Sequence, residues 1–500
     1  MTLPSAPARR TWHLPVALLA LVLAPAPALS RPLLADPIAP DALANGGAWR
    51  VDDYGGSTRS KVARWVAELP EGHHVVVGLD NLPGGAVSGT YRNLVLARFD
   101  AQGEPVPWLA PPVLLPVDAN HVVLDLGADT PGLDVRGVAV GPNRLYVLID
   151  RVFQTTRRPY LFAFAFHGPL AYDQALSTGH HGSGLAFLRT SGGDRLYVFS
   201  SYASDGVRWR PHVRYFQIPA AGDPQPTDEW WILPPACQAG QSCRIHGVTA
   251  NVHGALTGLP PRIYLVGSHA IASDPGNEDF LVMRLDANGQ PDPGFGIQAV
   301  MVQGFDRPGS ARADVALRAV VRPYFLPGGQ GREHLYVTGR VDQSCRLGTA
   351  VLALDDTGAP LSGFGVVGAL LFGGSAASGS FCSGFNPSLT LVPMPLLDGN
   401  RLLLVGYRQC QGCPTVAALA SVDLVRGQLA WQRDLPYPLA GSPERPTNLM
   451  GASRLAADRY LLAGTTRYPD DASVAPLLRG RYQFATLQVR ADRLHGDGFD

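Results

Sequence analysis

The chain repeats itself, and that repeat restricts the possible folds more than any other feature. A basic residue or histidine followed by an apolar run, often ending in glycine, occurs seven times. The copies are His73-His74-Val75-Val76-Val77-Gly78, RLYVLI from Arg144, RLYVFS from Arg195, RIYLVG from Arg262, HLYVTG from His334, RLLLVG from Arg401 and RYLLAG from Arg459. After a loop, each is followed by a second run: LVLARFDAQG from Leu94, LFAFAFHG from Leu161, VRYFQIPAAG from Val213 and LVMRLDANG from Leu281. VLALDDTG from Val351, ALASVDLVRG from Ala418 and FATLQVRAD from Phe484 complete the set. The Asp-Ala-Asn-Gly, Asp-Ala-Gln-Gly and Asp-Asp-Thr-Gly tips carry the residues that tight hairpin turns demand. A further alternating run, such as Gly137-Val138-Ala139-Val140, lies upstream of each first run.

Each unit is therefore three or four antiparallel strands, at about 61 residues per copy from His73 onward. Such a unit cannot cover its own apolar faces, and seven of them predict an all-β, seven-bladed β-propeller of four-stranded antiparallel blades. Glycine (56) and proline (44) supply the turns. The last unit lacks room for a fourth strand, and Gly47 to Val51 near the N-terminus is a strand without a unit. Pairing the two closes the ring and removes an open sheet edge. The blade count is least secured by the short stretch from Arg144 to Arg195, and six or eight blades would move the closing strand.

With 46% apolar and 16% charged residues the chain can bury a large core, which excludes general disorder. Its 41 basic and 41 acidic side chains give no overall pull toward nucleic acid or anionic membrane.

Residues 1–30 read as a signal peptide. Arg9 and Arg10 precede a short apolar stretch from Leu14 to Leu23, and Ala26-Pro27-Ala28 or Ala28-Leu29-Ser30 supplies a cleavage pattern. The stretch is too short to span a bilayer and contains Pro15. The expected mature protein is residues 31–500: a single domain, secreted or periplasmic, monomeric and not inserted in a membrane. Six cysteines in an oxidising compartment predict disulfides. Local pairing of Cys237 with Cys243, Cys345 with Cys382 and Cys410 with Cys413 is the preferred connectivity. Cys410 and Cys413 have no following histidine and no second C-x-x-C, so neither haem attachment nor zinc is expected. No cofactor or metal is expected elsewhere.

VMRLDANGQPDPGFG, from Val282 to Gly296, resembles the bacterial delta-60 repeat, an apolar strand followed by R-L-x-x-D-G-x-x-D-x-x-F-G. LARFDAQGEPVPWL, LALDDTGAPLSGFG and the terminal LQVRADRLHGDGFD resemble weaker copies. The resemblance implies an exported or surface propeller and carries over no catalytic residues. VDLVRGQLAWQRDL from Val422 also resembles one unit of a quinone-cofactor propeller, but it occurs once and reads equally as an ordinary hairpin.

Propellers bind ligands at the channel mouth, on the face built by loops between second and third strands and by the links into the innermost strands. Here those loops are long and rich in Arg, Tyr and Asp, as in IDRVFQTTRRPY and SSYASDGVRWRPH. The opposite face carries tight Asp/Gly turns. Residues entering the innermost strands are Lys61, Asp134, Arg136, His180, His181, His246, Arg312, Asp314, Asn386 and Asn448. That ring of cationic and hydrogen-bonding groups suits a sugar or a carboxylate, although hydrated channel walls are polar with or without a ligand. The expected function is binding of an extracytoplasmic glycan or protein at this face. The alternatives are a polysaccharide lyase or glycosidase at the same face and a structural scaffold for a partner protein. In a lyase, His181 and His246 would act with Tyr202 or Tyr215 and with Arg208 or Arg210 in a β-elimination on a uronic-acid polymer. No nucleophile elbow, zinc helix, phosphate loop or EF-hand is present in the sequence.

Overall fold

The computed structural model describes residues 49–52, 61–80, 91, 93–108, 121–126, 132–153, 156–166, 170–203, 205–220, 222–238, 240–251, 258–271, 273–305, 313–343, 346–372, 394–408, 416–435, 447–455, 459–467 and 482–490. The predicted signal segment, Arg312, Cys345, Cys382, Asn386, Cys410 and Cys413 lie outside them. Within them the chain forms 28 strands in seven four-stranded antiparallel sheets. The lone strand β1 is Trp49–Asp52.

Blade 1 is β2 (Lys61–Glu68), β3 (His74–Asp80), β4 (Asn93–Phe99) and β5 (His121–Asp125). Blade 2 is β6 (Gly132–Val140), β7 (Arg144–Phe153), β8 (Thr156–Ala165) and β9 (Leu170–Ala175). Blade 3 is β10 (His181–Thr190), β11 (Gly193–Tyr202), β12 (Arg210–Ile218) and β13 (Gln225–Trp231). Blade 4 is β14 (Gln241–Ala250), β15 (Ile263–Ile271), β16 (Asp274–Leu285) and β17 (Val300–Gln303). Blade 5 is β18 (Val315–Phe325), β19 (Gly331–Gln343), β20 (Arg346–Leu354) and β21 (Ala369–Phe372). Blade 6 is β22 (Met394–Asp398), β23 (Arg401–Arg408), β24 (Val416–Asp423) and β25 (Gln428–Leu435). Blade 7 is β26 (Thr447–Arg454), β27 (Arg459–Arg467) and β28 (Tyr482–Arg490), with β1 as its outermost strand. Trp49 pairs with Leu487 and Asp52 with Phe484, which is the predicted closure.

The seven first runs are the second strands of the seven blades. They are apolar at consecutive positions because both faces of each sheet are covered. In β7, Leu145, Val147 and Ile149 enter the core shared with blade 1, while Tyr146 and Leu148 enter the core shared with blade 3. Strand alternation thus feeds both neighbours from one run. Seven apolar clusters fill the seven junctions, including the one between blades 7 and 1 around Val76, Leu461 and Ala463. Tyr146, Tyr197, Tyr264 and Tyr336 repeat one fully buried position across four blades, each facing the following blade, whereas Tyr460 is buried one place earlier in its run and faces blade 6. Each such side chain stabilises the fold by about 1.5–3 kcal/mol on burial. At the 7–1 junction the buried His74 places Nδ1 2.9 Å from Ser453 Oγ.

The turn motif has a structural role. Asp286 Oδ1 accepts from the backbone N–H groups of Asn288 and Gln290, and Asp100 and Asp355 repeat the arrangement. Arg284 pairs with Asp292 at 2.8 Å and lies over the Phe295 ring, so the R, D and F positions of the repeat meet in one hairpin.

Candidate functional site

The innermost strands share a register device. In β2, β6, β10, β14, β18 and β26 the pairing to the next strand slips by one residue, leaving Arg64, Arg136, Ser183, His246, Leu317 and Met450 as the extra residues of β-bulges. Four of the six are followed by glycine: Gly137, Gly184, Gly247 and Gly451. These sit against the neighbouring blade. A Cβ on Gly247 would lie 2.3 Å from the Leu317 carbonyl oxygen, and one on Gly184 would meet Val248 at 2.7 Å. Glycine lets the innermost strands of successive blades pack side by side around the ring, β26 against β2 included.

The bulge decides which predicted site residues share a wall. Alternation in β6 and β14 leaves Asp134, Arg136, Arg244 and His246 partly exposed on one face, with Val135, Ile245 and Gly247 buried between them. His181 stands two residues before its bulge, as Asp134 and Arg244 do. Asn448 takes that same position in β26. Lys61, His180 and Asp314 stand three residues before their bulges and are buried, so they line blade interiors instead of joining this wall. Asp314 Oδ2 accepts from the backbone N–H of Phe305 at 2.8 Å. The adjacent pair His180 and His181 is divided for the same reason, since consecutive strand residues face opposite ways.

The wall is crowded with guanidinium groups. Arg136 Nε donates to the buried Asp150 at 2.9 Å, and Arg136 also lies 3.1 Å from Asp134. Asp150 in turn accepts from the Gly182 backbone N–H at 2.8 Å and lies 3.7 Å from Arg157, joining blade 2 to blade 3. Burial pushes the Asp150 carboxyl up against the opposing pull of Arg136. Arg318, from blade 5, donates to the His246 carbonyl at 2.9 Å and stacks over Trp65 of blade 1 at 4.6 Å. Burial first, then the positive Arg136, brings the Arg318 guanidinium down to about 10. Arg136 and Arg318 sit on blades 2 and 5, so this coupling runs across the channel.

The histidines respond to that field. His246 is pushed down to about 3 by burial and by Arg244, Arg136, Arg318 and Arg340. His181 is pushed down to about 4 by burial and by Arg157, Arg244 and Arg136. Both are neutral near pH 7. His246 Nε2 lies 3.4 Å from Ser268 Oγ, which donates to Glu278 at 3.0 Å. With the hydroxyl proton directed at Glu278, the imidazole is the donor to Ser268 and its Nδ1 keeps the lone pair. Among the described residues, Arg136, Arg157, Arg244, Arg318 and Arg340 share this region with the carboxylates Asp134, Asp150 and Glu278, leaving positive charge in excess.

The rim on blade 3 is aromatic. Trp209, in the β11–β12 loop, has Arg244 over its ring at 4.4 Å and the His181 ring edge-on at 4.7 Å. Its backbone is clamped to β14 by Trp209 N–H to Ser242 Oγ and Cys243 N–H to Trp209 carbonyl bonds of 3.0 and 2.8 Å. The adjoining Cys237–Cys243 disulfide, as predicted, pins the link into β14. Tyr202 stacks on His180 at 4.9 Å, and Arg208 is held within its own loop by Asp205. Tyr215 stacks on Tyr197 at 5.3 Å, and Arg210 is exposed at the start of β12.

Arg244, Arg318 and Arg340 were not among the sequence candidates. The feature that finds the first two is the bulge register, which places Arg244 level with Asp134 and His181, and Arg318 level with Trp65. Among the described residues no cluster of three His, Cys, Asp or Glu side chains could hold a metal ion, and no helix is long and apolar enough to cross a membrane.

No family model matches the chain, and no curated protein matches it. Several solved structures are similar in fold. Phage phi92 endosialidase is 10% identical, with 91% of this chain and 70% of that chain covered and a TM-score of 0.41. A protein of unknown function from Dyadobacter fermentans is 12% identical, covering 89% of this chain and 100% of that one, with a TM-score of 0.41. The Nup133 β-propeller domain of Vanderwaltozyma polyspora is 7% identical, covering 88% and 97%, with a TM-score of 0.40. Likeness at this level carries no argument about ligand or activity.

Proposed function

We propose that this chain is an exported propeller of the delta-60 type that binds an acidic glycan in the cup at its loop-rich mouth. The observation that supports this most is the gathering of Arg136, Arg157, Arg244, Arg318 and Arg340 around histidines held neutral, with carboxylates too few to balance them among the described residues. A partly buried guanidinium without a full complement of partners favours a carboxylate ligand, which it can grip through two parallel hydrogen bonds. The Nε atoms of Arg318 and Arg340 have no protein hydrogen-bond partner. A uronate polymer offers carboxylates to these groups and sugar faces to the rim aromatics. The rigid blades keep the ordering cost of binding low.

The test is size-exclusion chromatography of the mature protein with neutral and acidic polysaccharides. The expected result is co-elution with uronate polymers that weakens as salt rises and is lost in an Arg136→Ala/Arg244→Ala double variant. Equal retention by neutral polymers, or binding that survives the double variant, removes the reading, and no interaction with any polysaccharide turns attention to a protein partner.

A second reading is supported by the neutral imidazoles among guanidinium groups, the combination a β-elimination needs. His181 or His246 would take the proton from the carbon next to the uronate carboxylate while arginine neutralises that carboxylate. The electron pair forms the new carbon–carbon double bond as the glycosidic bond to the neighbouring carbon breaks, and the departing oxygen takes up a proton. New low-mass sugar with ultraviolet absorbance, absent in His181→Ala or His246→Ala, distinguishes this from binding alone.

A further inference from the structure

We infer that blade 3 carries a second ligand site on its outer flank, a cleft that takes a pyranose ring of a neutral glycan. The cleft, about 580 Å³, lies between strands β12 and β13 of blade 3 and the β16–β17 turn of blade 4. Tyr215 and Trp230 line it with aromatic surface, and Asp228, Asn288 and Gln290 line it with hydrogen-bonding groups. It is separate from the arginine cup and stands whether or not that cup binds an acidic polymer.

Three observations carry the assignment. First, the cleft is built in advance. Arg195 donates to the Ala287 carbonyl at 3.0 Å and to Asn288 Oδ1 at 2.8 Å, and Tyr197 Oη donates to the same carbonyl at 2.8 Å. These bonds seat the blade 4 turn on blade 3. The seat requires Gly289, at φ +74°, because a Cβ there would lie 2.8 Å from the Tyr197 ring and 2.9 Å from the Trp230 ring. Preformed clefts lose little conformational freedom on binding.

Second, Trp230 turns its half-buried ring to this side of the outermost strand, against the blade 4 turn, and its Nε1 has no hydrogen-bond partner in the protein, while the next residue, Trp231, packs its ring on His180, Tyr202 and His212 on the opposite side. Flat aromatic surface beside neutral amides is the chemistry that receives the C–H face and the vicinal hydroxyls of a sugar ring.

Third, the charge differs from that of the cup. Arg195 is committed to the turn and to Tyr215, over whose ring it lies at 5.5 Å. Glu229, beside Asp228, is paired with Arg214 at 3.0 Å. Asp228 is thus the charged group left facing the cleft, and it disfavours a uronate. A neutral pyranoside fits where an acidic one does not.

The experiment is titration calorimetry of the full mature protein with neutral hexasaccharides of glucose, mannose and xylose, and with a uronate hexasaccharide in parallel. At least one neutral probe should bind, with Trp230→Ala weakening it by about tenfold or more and Arg136→Ala/Arg244→Ala leaving it unchanged. Gln290→Ala, on an exposed turn, should weaken it several-fold without altering the melting temperature, which keeps the test valid if Trp230→Ala fails to fold. Absence of binding by every neutral probe at millimolar concentration overturns the inference, as does neutral binding that survives Gln290→Ala and Trp230→Ala or falls with the cup variant. Loss of uronate binding alone concerns the cup and leaves this cleft standing.

Discussion

Arg318 of β18 holds its guanidinium carbon 4.6 Å from the ring centre of Trp65 of β2, although the two strands belong to blades 5 and 1. A contact between non-adjacent blades has to cross the axis. It links the innermost strands of the two blades at the level of the bulges.

Trp65→Ala should therefore cost about 3 kcal/mol, combining a desolvated cation–π contact with lost packing. Urea unfolding measures this, and Arg318→Lys should cost less because it keeps the charge. Unchanged stability in Trp65→Ala would remove the bridge from the account of the channel.

Arg318→Met should raise the pKa of His246, because the Arg318 charge is one of the forces holding it down to about 3. Imidazole titration by NMR reads the shift directly. A His246 that titrates as before would mean that burial and the other guanidinium groups set its protonation without Arg318.

Acid should destabilise the fold well above the carboxylate range. His74, His180 and His181 are each pushed down to about 4 and His246 to about 3, with burial the largest cause in every case. An unfolded histidine titrates near ~6.5. Between those values the unfolded chain binds protons that the folded chain excludes, so stability is present above ~6.5 and is lost as pH falls toward 4. Each histidine contributes at most ~1.4 kcal/mol per pH unit, and Asp150, raised by burial, works in the opposite direction. Urea midpoints at pH 7, 6 and 5 should fall in that order, and a flat profile sinks the prediction.

Gly247→Ala should cost more than about 4 kcal/mol or prevent folding, because its Cβ would lie 2.3 Å from the Leu317 carbonyl oxygen of the next blade. Gly206→Ala is the control. Gly206 has φ +74° but open space around it, and the change should cost only about 1–2 kcal/mol. Equal melting temperatures for the two variants would contradict close blade approach at the bulge.

Replacing Cys237 and Cys243 by serine should lower stability by about 2 kcal/mol, the loop-closure contribution for a sequence separation of 6. Thiol counting on the unfolded wild-type protein, before and after reduction, checks that the bond is present.

The seven blades could be read from the seven RLYV-like runs because short runs of consecutive apolar side chains, recurring between hairpin turn residues, suit strands covered on both faces. Closure by Trp49–Asp52 followed from counting strands in the last unit. The site was legible only in part. His246, Asp134 and Arg136 were found as polar residues entering innermost strands, but Lys61, His180 and Asp314 met the same criterion and are buried in blade interiors. Arg244 and Arg318 were passed over, since nothing in their local sequence separates a channel arginine from a surface one.

What the amino-acid sequence determined by itself is periodic: strand, turn, blade and ring, each specified by residues close together in the chain. What the tertiary structure decided is which side chains meet. A one-residue bulge reverses the facing of every residue on one side of it relative to the other, and it leaves no fixed mark in sequence beyond a frequent glycine. Arg136, Arg244 and Arg318 each stand more than 70 residues from the next along the chain, and they act on one another only because ring closure turns those three strands toward one axis. There the low dielectric of a narrow, partly buried channel makes their charges count.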